Sequence, residues 1–201
     1  MVFQHRDSHT AAMASANASL RYHCRQLGLG DVAVVAQRLK RLPTIFDKLQ
    51  REPTLSLDNM HDLGGVRAVV PTIADVRRLQ ERLIRRRPEA RVLDYIETPR
   101  QSGYRAVHVV ADWGGAVRRK VEIQLRSTVM HQWADMVETA SRAFGVNHKQ
   151  DGDTPFHRWA RALSRIMAVV ELGDAPGAEL SAEYDEAYTE FFGDEMGDNY
   201  E

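Results

Sequence analysis

A single cysteine, Cys24, stands in 201 residues. One thiol excludes an internal disulfide framework and any multi-cysteine zinc site, and a buried structural thiol is expected. No apolar run approaches the ~20 residues that a bilayer-spanning helix needs. The polar, mixed stretch Met1–Ser19 lacks the apolar centre of a secretory signal, so a cytoplasmic protein without a membrane partner is expected. Walker A, GxGxxG and the protein-kinase motif set are all missing, as are internal repeats and low-complexity segments. Basic residues are absent from the C-terminal end: no Lys or Arg follows Arg165.

That last absence uncovers a strong asymmetry beneath a net charge of −1. Residues 1–165 carry all 27 Lys and Arg against 17 acids, a net +10, and residues 166–201 carry 11 acids and no Lys or Arg, a net −11. A basic body favours polyanionic ligands such as nucleotides, RNA or phosphates. The acidic end is either a solubilising tail or a segment that folds back or meets a basic partner. Its aromatics, Tyr184, Tyr188, Phe191, Phe192 and Tyr200, predict that part of it docks. The expected organisation is a domain over residues 1–172 and an acidic tail over 173–201. Restraint of the body by the tail would show as a rise in activity on truncation after about residue 172.

Along the chain, residues 8–29 read as a helix capped by Ser8 or Thr10 and ended at Gly28 and Gly30. A second helix is expected from Asp31 through Val35, Leu39, Leu42, Ile45, Phe46 and Leu49, broken or kinked at Pro43. On it Arg38, Arg41 and Lys48 would form a basic stripe. Val66–Val70 reads as a strand ended by Pro71. Thr72 caps a helix from about Ile73 to Arg87, apolar along Val76, Leu79 and Leu83 and arginine-rich outside. Strands are expected at 92–96 and 104–110, the second paired through the Gly114-Gly115 turn with a strand ending at Arg126. Ser127 caps a helix through Met130, Trp133 and Val137, and a loop from Gly145 to Thr154 leads to a last helix, Pro155 to about Leu172. The order ααβαβββαα describes an α+β fold, a small mixed sheet flanked by helices.

The chemistry gathers around Val121-Glu122-Ile123-Gln124-Leu125-Arg126. Strict alternation sends Val121, Ile123 and Leu125 to a core and Glu122, Gln124 and Arg126 to the opposite face. That face is a solvated surface or the floor of a charged-ligand site. Asp62, before Gly64-Gly65 and Arg67, can reach a cation while the flexible backbone approaches a phosphate. The His61-Asp62 pair also invites an HD-type phosphohydrolase, but a strand follows at once where that chemistry needs ligands from neighbouring helices. Tyr104, Ala106 and His108 share one strand face, with Tyr104 placed to stack on a base. Two carboxylates on separate strands among Lys and Arg suit Mg²⁺-dependent transfer of phosphate groups.

Taken in order, Arg38-x-Lys40 with Lys48, Asp62-Leu63-x-Gly65-x-Arg67, Asp94-Tyr95-Ile96-x-x-Pro99-Arg100-x-x-Gly103-Tyr104-Arg105-x-x-His108, and Glu122-Ile123-Gln124-Leu125-Arg126 resemble the RelA/SpoT pyrophosphotransferase domain, over residues 38–140. The resemblance implies the nucleotidyltransferase-like fold of that family, and Mg²⁺-dependent transfer of the β,γ-pyrophosphate of ATP to a ribose 3′-hydroxyl with release of AMP. It implies ATP binding by Arg38, Lys40, Lys48 and Arg67. Asp62 would ligate the metal, and Glu122 would be the base or a second metal ligand. Arg100, Tyr104 and His108 would bind the acceptor, supported by Gln124 and Arg126. Where many relatives carry Lys, this chain has Arg100. The resemblance implies GDP or GTP as acceptor, giving (p)ppGpp, or, on the toxin side of the family, the 3′ end of tRNA or an adenosine nucleotide, with an antitoxin as partner. A catalytically silent nucleotide or RNA sensor is the reading of another class. Oligomeric state is not legible.

Overall fold

The computed structural model describes residues 2–145 and 153–197, with side chains to Gly193. The elements run α1 (Val2–Asp7), α2 (Thr10–Gln26), β1 (Val34–Leu39), α3 (Leu42–Arg51), β2 (Gly64–Val70), α4 (Ile73–Arg86), β3 (Arg91–Asp94), β4 (Val107–Trp113), β5 (Arg119–Ser127), α5 (Thr128–Ala143), α6 (Pro155–Glu171) and α7 (Ala178–Gly197). They fall into two compact units, Met1–Leu93 with Val107–Ser127, and Asp94–Ala106 with Thr128–Glu201. The fold is α+β, as expected.

The first unit is built on a five-stranded mixed sheet in the order β1-β2-β5-β4-β3. β2 and β5 are parallel, and β1 and β4 run antiparallel to them. Val121, Ile123 and Leu125 are wholly buried, and the register pairs Ile123 with Val66 and Val109. α2 and α4 pack on the sheet. α2 buries Ala12, Met13, Ala16, Leu20 and Cys24 at helical spacing, and α4 buries Val76, Leu79 and Leu83. The thiol is buried, as expected. The Thr72 hydroxyl accepts from Asp75 N and opens α4 as the sequence indicates.

Several expectations need correction. The helix expected from Asp31 is two elements, strand β1 followed by helix α3. The apolar spacing crossed the boundary, but β-branched Val34-Val35 pairs with β2 instead, and Pro43, expected to break a helix, opens α3 in its first turn. Arg38, Arg41 and Lys48 therefore do not form a helical stripe: Arg38 sits on the strand, Arg41 is the extended N-cap residue of α3, and Lys48 lies near the end of α3, with Lys40 between the two elements. At the start of the chain neither Ser8 nor Thr10 caps α2: Ser8 Oγ donates to His5 O, and the N-cap is His9 with no side-chain cap bond. The strand expected at 92–96 stops at Asp94, whose Oδ1 accepts from Ile96 N and Glu97 N in a side-chain-closed turn. The strand expected from Tyr104 begins at Val107.

The second unit is helical. Trp133 and Val137 of α5, Phe156, Trp159 and Ala160 of α6, and Ala187 and Phe191 of α7 form its core, joined by Tyr104, Tyr184 and Phe192. Thr154 caps α6, while residues 146–152 of the expected preceding loop lie outside the described residues. Much of the acidic end is thus a helix. Phe191 is buried in this core with Tyr184 and Phe192 partly buried, Tyr188 is exposed and Tyr200 lies outside the described residues, and the acids meet α6 arginines, Arg158 with Glu190 and Arg165 with Glu183.

Candidate active site

The register assembles a polar face on the first unit's sheet. Paired residues on neighbouring strands project to the same side. Arg38, Gly65, Glu122 and Val110 lie in one row, and Ala36, Arg67, Gln124 and His108 in the next. Both expected carboxylates belong to this unit. The polar face of β5 is therefore a network rather than a solvated outer surface.

Glu122 is 14% exposed and fully engaged. Its Oε1 accepts from His108 Nδ1 at 2.8 Å and its Oε2 from Gln124 Nε2 at 2.7 Å. Arg126 Nη2 approaches Gln124 Oε1 at 3.4 Å, fixing the amide so that its NH₂ points at the carboxylate. An ionised carboxylate only accepts, so the His108 proton sits on Nδ1. Burial drives the Glu122 carboxyl upward. The hydrogen bond and charge of His108 and the Gln124 amide more than offset this and hold it below the ordinary carboxylate value.

Asp62 is positioned by a satellite core. Met60 and Leu63 bury on Ile45 of α3, which pins the intervening loop, and Lys40 N donates to Leu63 O at 2.9 Å, extending the β1–β2 pairing to Leu63, next to Asp62. Asp62 Oδ2 accepts from Lys40 Nζ at 2.5 Å and Lys48 Nζ at 3.2 Å. Burial pushes this carboxyl up too. Lys40 first and Lys48 second more than offset it, and Asp62 rests below its ordinary value. Its Oδ1 is buried and accepts no hydrogen bond.

An orphaned, buried carboxylate oxygen beside a second ionised carboxylate fits a hard divalent cation. Among the described residues no group of three or more His, Cys, Asp or Glu is preassembled. That suits a cation completing its shell with phosphate oxygens and water rather than with a protein cage. Gly65 leaves the floor between Arg38 and Glu122 open: a Cβ there would meet only the Arg38 carbonyl, at 3.8 Å. The backbone is exposed where a phosphate would lie.

The second unit holds Arg100 and Tyr104. Tyr104 lies 5.9 Å from Tyr95 and 6.4 Å from Trp133 between ring centroids. The Arg100 guanidinium lies 4.4 Å over Tyr95 and 5.6 Å from the Tyr104 ring, and donates to Tyr95 Oη at 2.9 Å. Gly103 shapes this turn for two reasons. Its φ is +87°, and a Cβ would crowd Arg161, Ser164 and Ala160 at 3.1–3.2 Å. Tyr95 was not among the residues expected to bind; its spacing of five from Arg100 is the signal that could have found it. His108 and Tyr104, expected on one strand face, belong to different units, and His108 is committed to Glu122.

Comparison with known proteins follows the same residues. The family described as "Region found in RelA / SpoT proteins" matches residues 37–146. The GTP pyrophosphokinase YjbM of Bacillus subtilis is 27% identical over 169 residues, 80% of this chain and 77% of its own. The GTP pyrophosphokinase YwaC of the same organism is 29% identical over 141 residues, 64% of each chain. In fold, the chain is similar to the B. subtilis small alarmone synthetase 1 crystallised with its product pppGpp, with a TM-score of 0.67, 21% identity, and coverage of 87% of this chain and 92% of that one.

Proposed function

Because the chain belongs to the RelA/SpoT family, we propose that it transfers the β,γ-pyrophosphate of ATP to the 3′-hydroxyl of GDP or GTP, with Mg²⁺, giving (p)ppGpp and AMP. The observation that carries this reading is the pair of half-buried, ionised carboxylates, Asp62 and Glu122, set among Lys40, Lys48 and Arg38 around the open floor at Gly65. The names of the two B. subtilis relatives support the guanosine acceptor.

In this reading Lys40, Lys48, Arg38 and Arg67 hold the ATP phosphates and offset the charge that builds toward the leaving AMP. Asp62 and Glu122 would hold Mg²⁺, which when bound supplies Lewis-acid polarisation of the phosphoryl oxygens. The acceptor 3′-oxygen forms a bond to the β-phosphorus, and the bond from that phosphorus to the α,β-bridging oxygen breaks. The bridging oxygen and its electron pair leave with AMP. Glu122, kept ionised by His108 and Gln124, takes the hydroxyl proton. Tyr95, Tyr104 and Arg100 offer the ring faces and the cation that a guanosine nucleotide needs.

The test supplies ATP labelled at the γ-phosphate and Mg²⁺, with GDP, GTP, adenosine nucleotides or deacylated tRNA offered separately and Glu122→Gln as control. Label on GDP or GTP, absent with Glu122→Gln, is expected. Label on tRNA or on adenosine nucleotides moves the protein to the toxin side of the family. No transfer to any acceptor makes it a silent sensor.

A further inference from the structure

The carboxylate on which metal binding depends is already neutralised by two cations of the chain itself. Lys40 and Lys48 converge on the same oxygen, Asp62 Oδ2, while Oδ1 accepts nothing. These are unusual residues for this chain. Of its 27 basic residues only four are lysine, at positions 40, 48, 120 and 149. Two of the four meet on one carboxylate oxygen. Everywhere else the chain uses arginine almost exclusively, including where it binds carboxylates on α6. An arginine fork would grip Asp62 through two parallel bonds, whereas an ammonium is a compact point charge on a flexible stem that can change partners.

We propose that Lys40 and Lys48 are placeholders, holding Asp62 in the nucleotide-free protein and passing to the nucleotide phosphates as a divalent cation takes their place on the carboxylate. This rests on the reading of Asp62 as a metal ligand and of the lysines as phosphate ligands. A cation arriving alone at Oδ1 must compete for the Asp62 charge with two ammoniums on Oδ2, which are 17% and 24% exposed and repel it, and drawing that charge to itself leaves them without a counter-charge. A nucleotide arriving without a cation draws the lysines away and leaves a half-buried carboxylate bare beside its own phosphates. Removing one partner of an ion pair shielded from water is unfavourable, in proportion to its burial. Only when cation and nucleotide arrive together does every charge keep a partner. Each therefore tightens the other by the same factor, as linkage requires.

Two titrations that lack one component isolate the exchange from metal–nucleotide complexation in solution. With Mn²⁺ alone, Lys40→Met and Lys48→Met are each expected to bind the ion at least fivefold more tightly than the parent. Arg38→Met removes the same charge without a bond to Asp62 and should change Mn²⁺ affinity less than twofold. With AMPCPP in EDTA, Asp62→Asn is expected to bind at least fivefold more tightly than the parent, and the gain should shrink in Asp62→Asn/Lys48→Met. Ammonium NMR supplies a readout that a purely structural role would not move: with four lysines, the Lys40 and Lys48 signals should shift on adding Mg²⁺ and AMPCPP together, and be lost from the free protein in Asp62→Asn. Unchanged Mn²⁺ affinity in both lysine variants, or no gain with Asp62→Asn, overturns the exchange while pyrophosphate transfer stands. Failure of the parent protein to bind AMPCPP even with Mn²⁺ overturns both.

Discussion

Adding one methyl group at each of two adjacent glycines should drive stability and activity in opposite directions. Gly64 and Gly65 both sit in β2, and neither has a positive φ, so alanine fits the backbone at either position. Their surroundings differ. A Cβ on Gly64 would stand 2.8 Å from Met13 Cγ and 3.3 Å from its sulfur, within a side chain only 3% exposed. Displacing it is overpacking, costing about 1–3 kcal/mol. A Cβ on Gly65 meets nothing closer than 3.8 Å. Replacing a strand glycine without a clash reduces the entropy lost on folding, so Gly65→Ala should be neutral or stabilising by about 0.5–1 kcal/mol. The new methyl would occupy the floor between Arg38 and Glu122. Moving the phosphates by on the order of 1 Å costs roughly 10²-fold in rate. Denaturant midpoints and transfer kinetics on the same preparations provide the assay. Gly64→Ala should unfold earlier yet keep its kcat/KM when folded, and Gly65→Ala should unfold no earlier yet lose kcat/KM. A Gly65→Ala protein within twofold of wild type in kcat/KM would refute a phosphate seat over this strand.

His108→Gln should lower transfer by about 10–100-fold with little change in nucleotide binding, because it loosens the carboxylate without touching the phosphate cations; the split between kcat and KM reads this out. Phe191→Ala removes a side chain 6% exposed from the second unit's aromatic core and should cost about 3 kcal/mol, seen as a lower midpoint by tryptophan fluorescence from Trp133 and Trp159. Between pH 7 and 5 stability should fall through histidines rather than carboxylates. His23, held down by burial and by Arg82 and Arg86, stays neutral when folded but takes a proton near 6.5 when unfolded, so stability drops as pH falls below 6.5 and His23→Gln should flatten that slope. Asp62 and Glu122 lie below their ordinary 3.8 and 4.5, so their stabilisation is complete above those values and is lost only as pH falls further; the acid limb of Asp62→Asn should be shallower below about pH 4.

What the sequence made legible followed from local rules. The alternation from Val121 to Arg126 placed three apolar residues in the core and Glu122 and Gln124 in a polar network, because a strand period of two leaves no freedom once one face is buried. Thr72 opened its helix as a capping residue does. What the sequence concealed depended on distant partners. Val35, Leu39, Leu42, Ile45 and Leu49 keep a helical spacing across Pro43, and only pairing with Gly64–Val69 turns the first part into a strand. The convergence of Lys40, Lys48 and Asp62 needs both that pairing and the burial of Met60 and Leu63 on α3. The rings around Arg100 needed the turn at Gly103 and the body of α5. The docking of the acidic end on α6 was foreshadowed by its aromatics, but its partners lay in another helix.

Strand β1 forms one edge of the sheet, and its residue Val34 is 63% exposed. An edge strand is a template for intermolecular pairing, and proteins blunt it with charge. Here Arg21 takes the Val35 carbonyl at 2.7 Å, and exposed Arg38 carries the other positive charge along the strand. The same arginine proposed to hold a phosphate is thus placed to act as a gatekeeper against aggregation. Under the proposed function solubility and turnover rest on one side chain, so an Arg38 variant in cells is expected to mix a poorer catalyst with a smaller soluble pool, and the two separate only when the insoluble fraction is weighed alongside the rate.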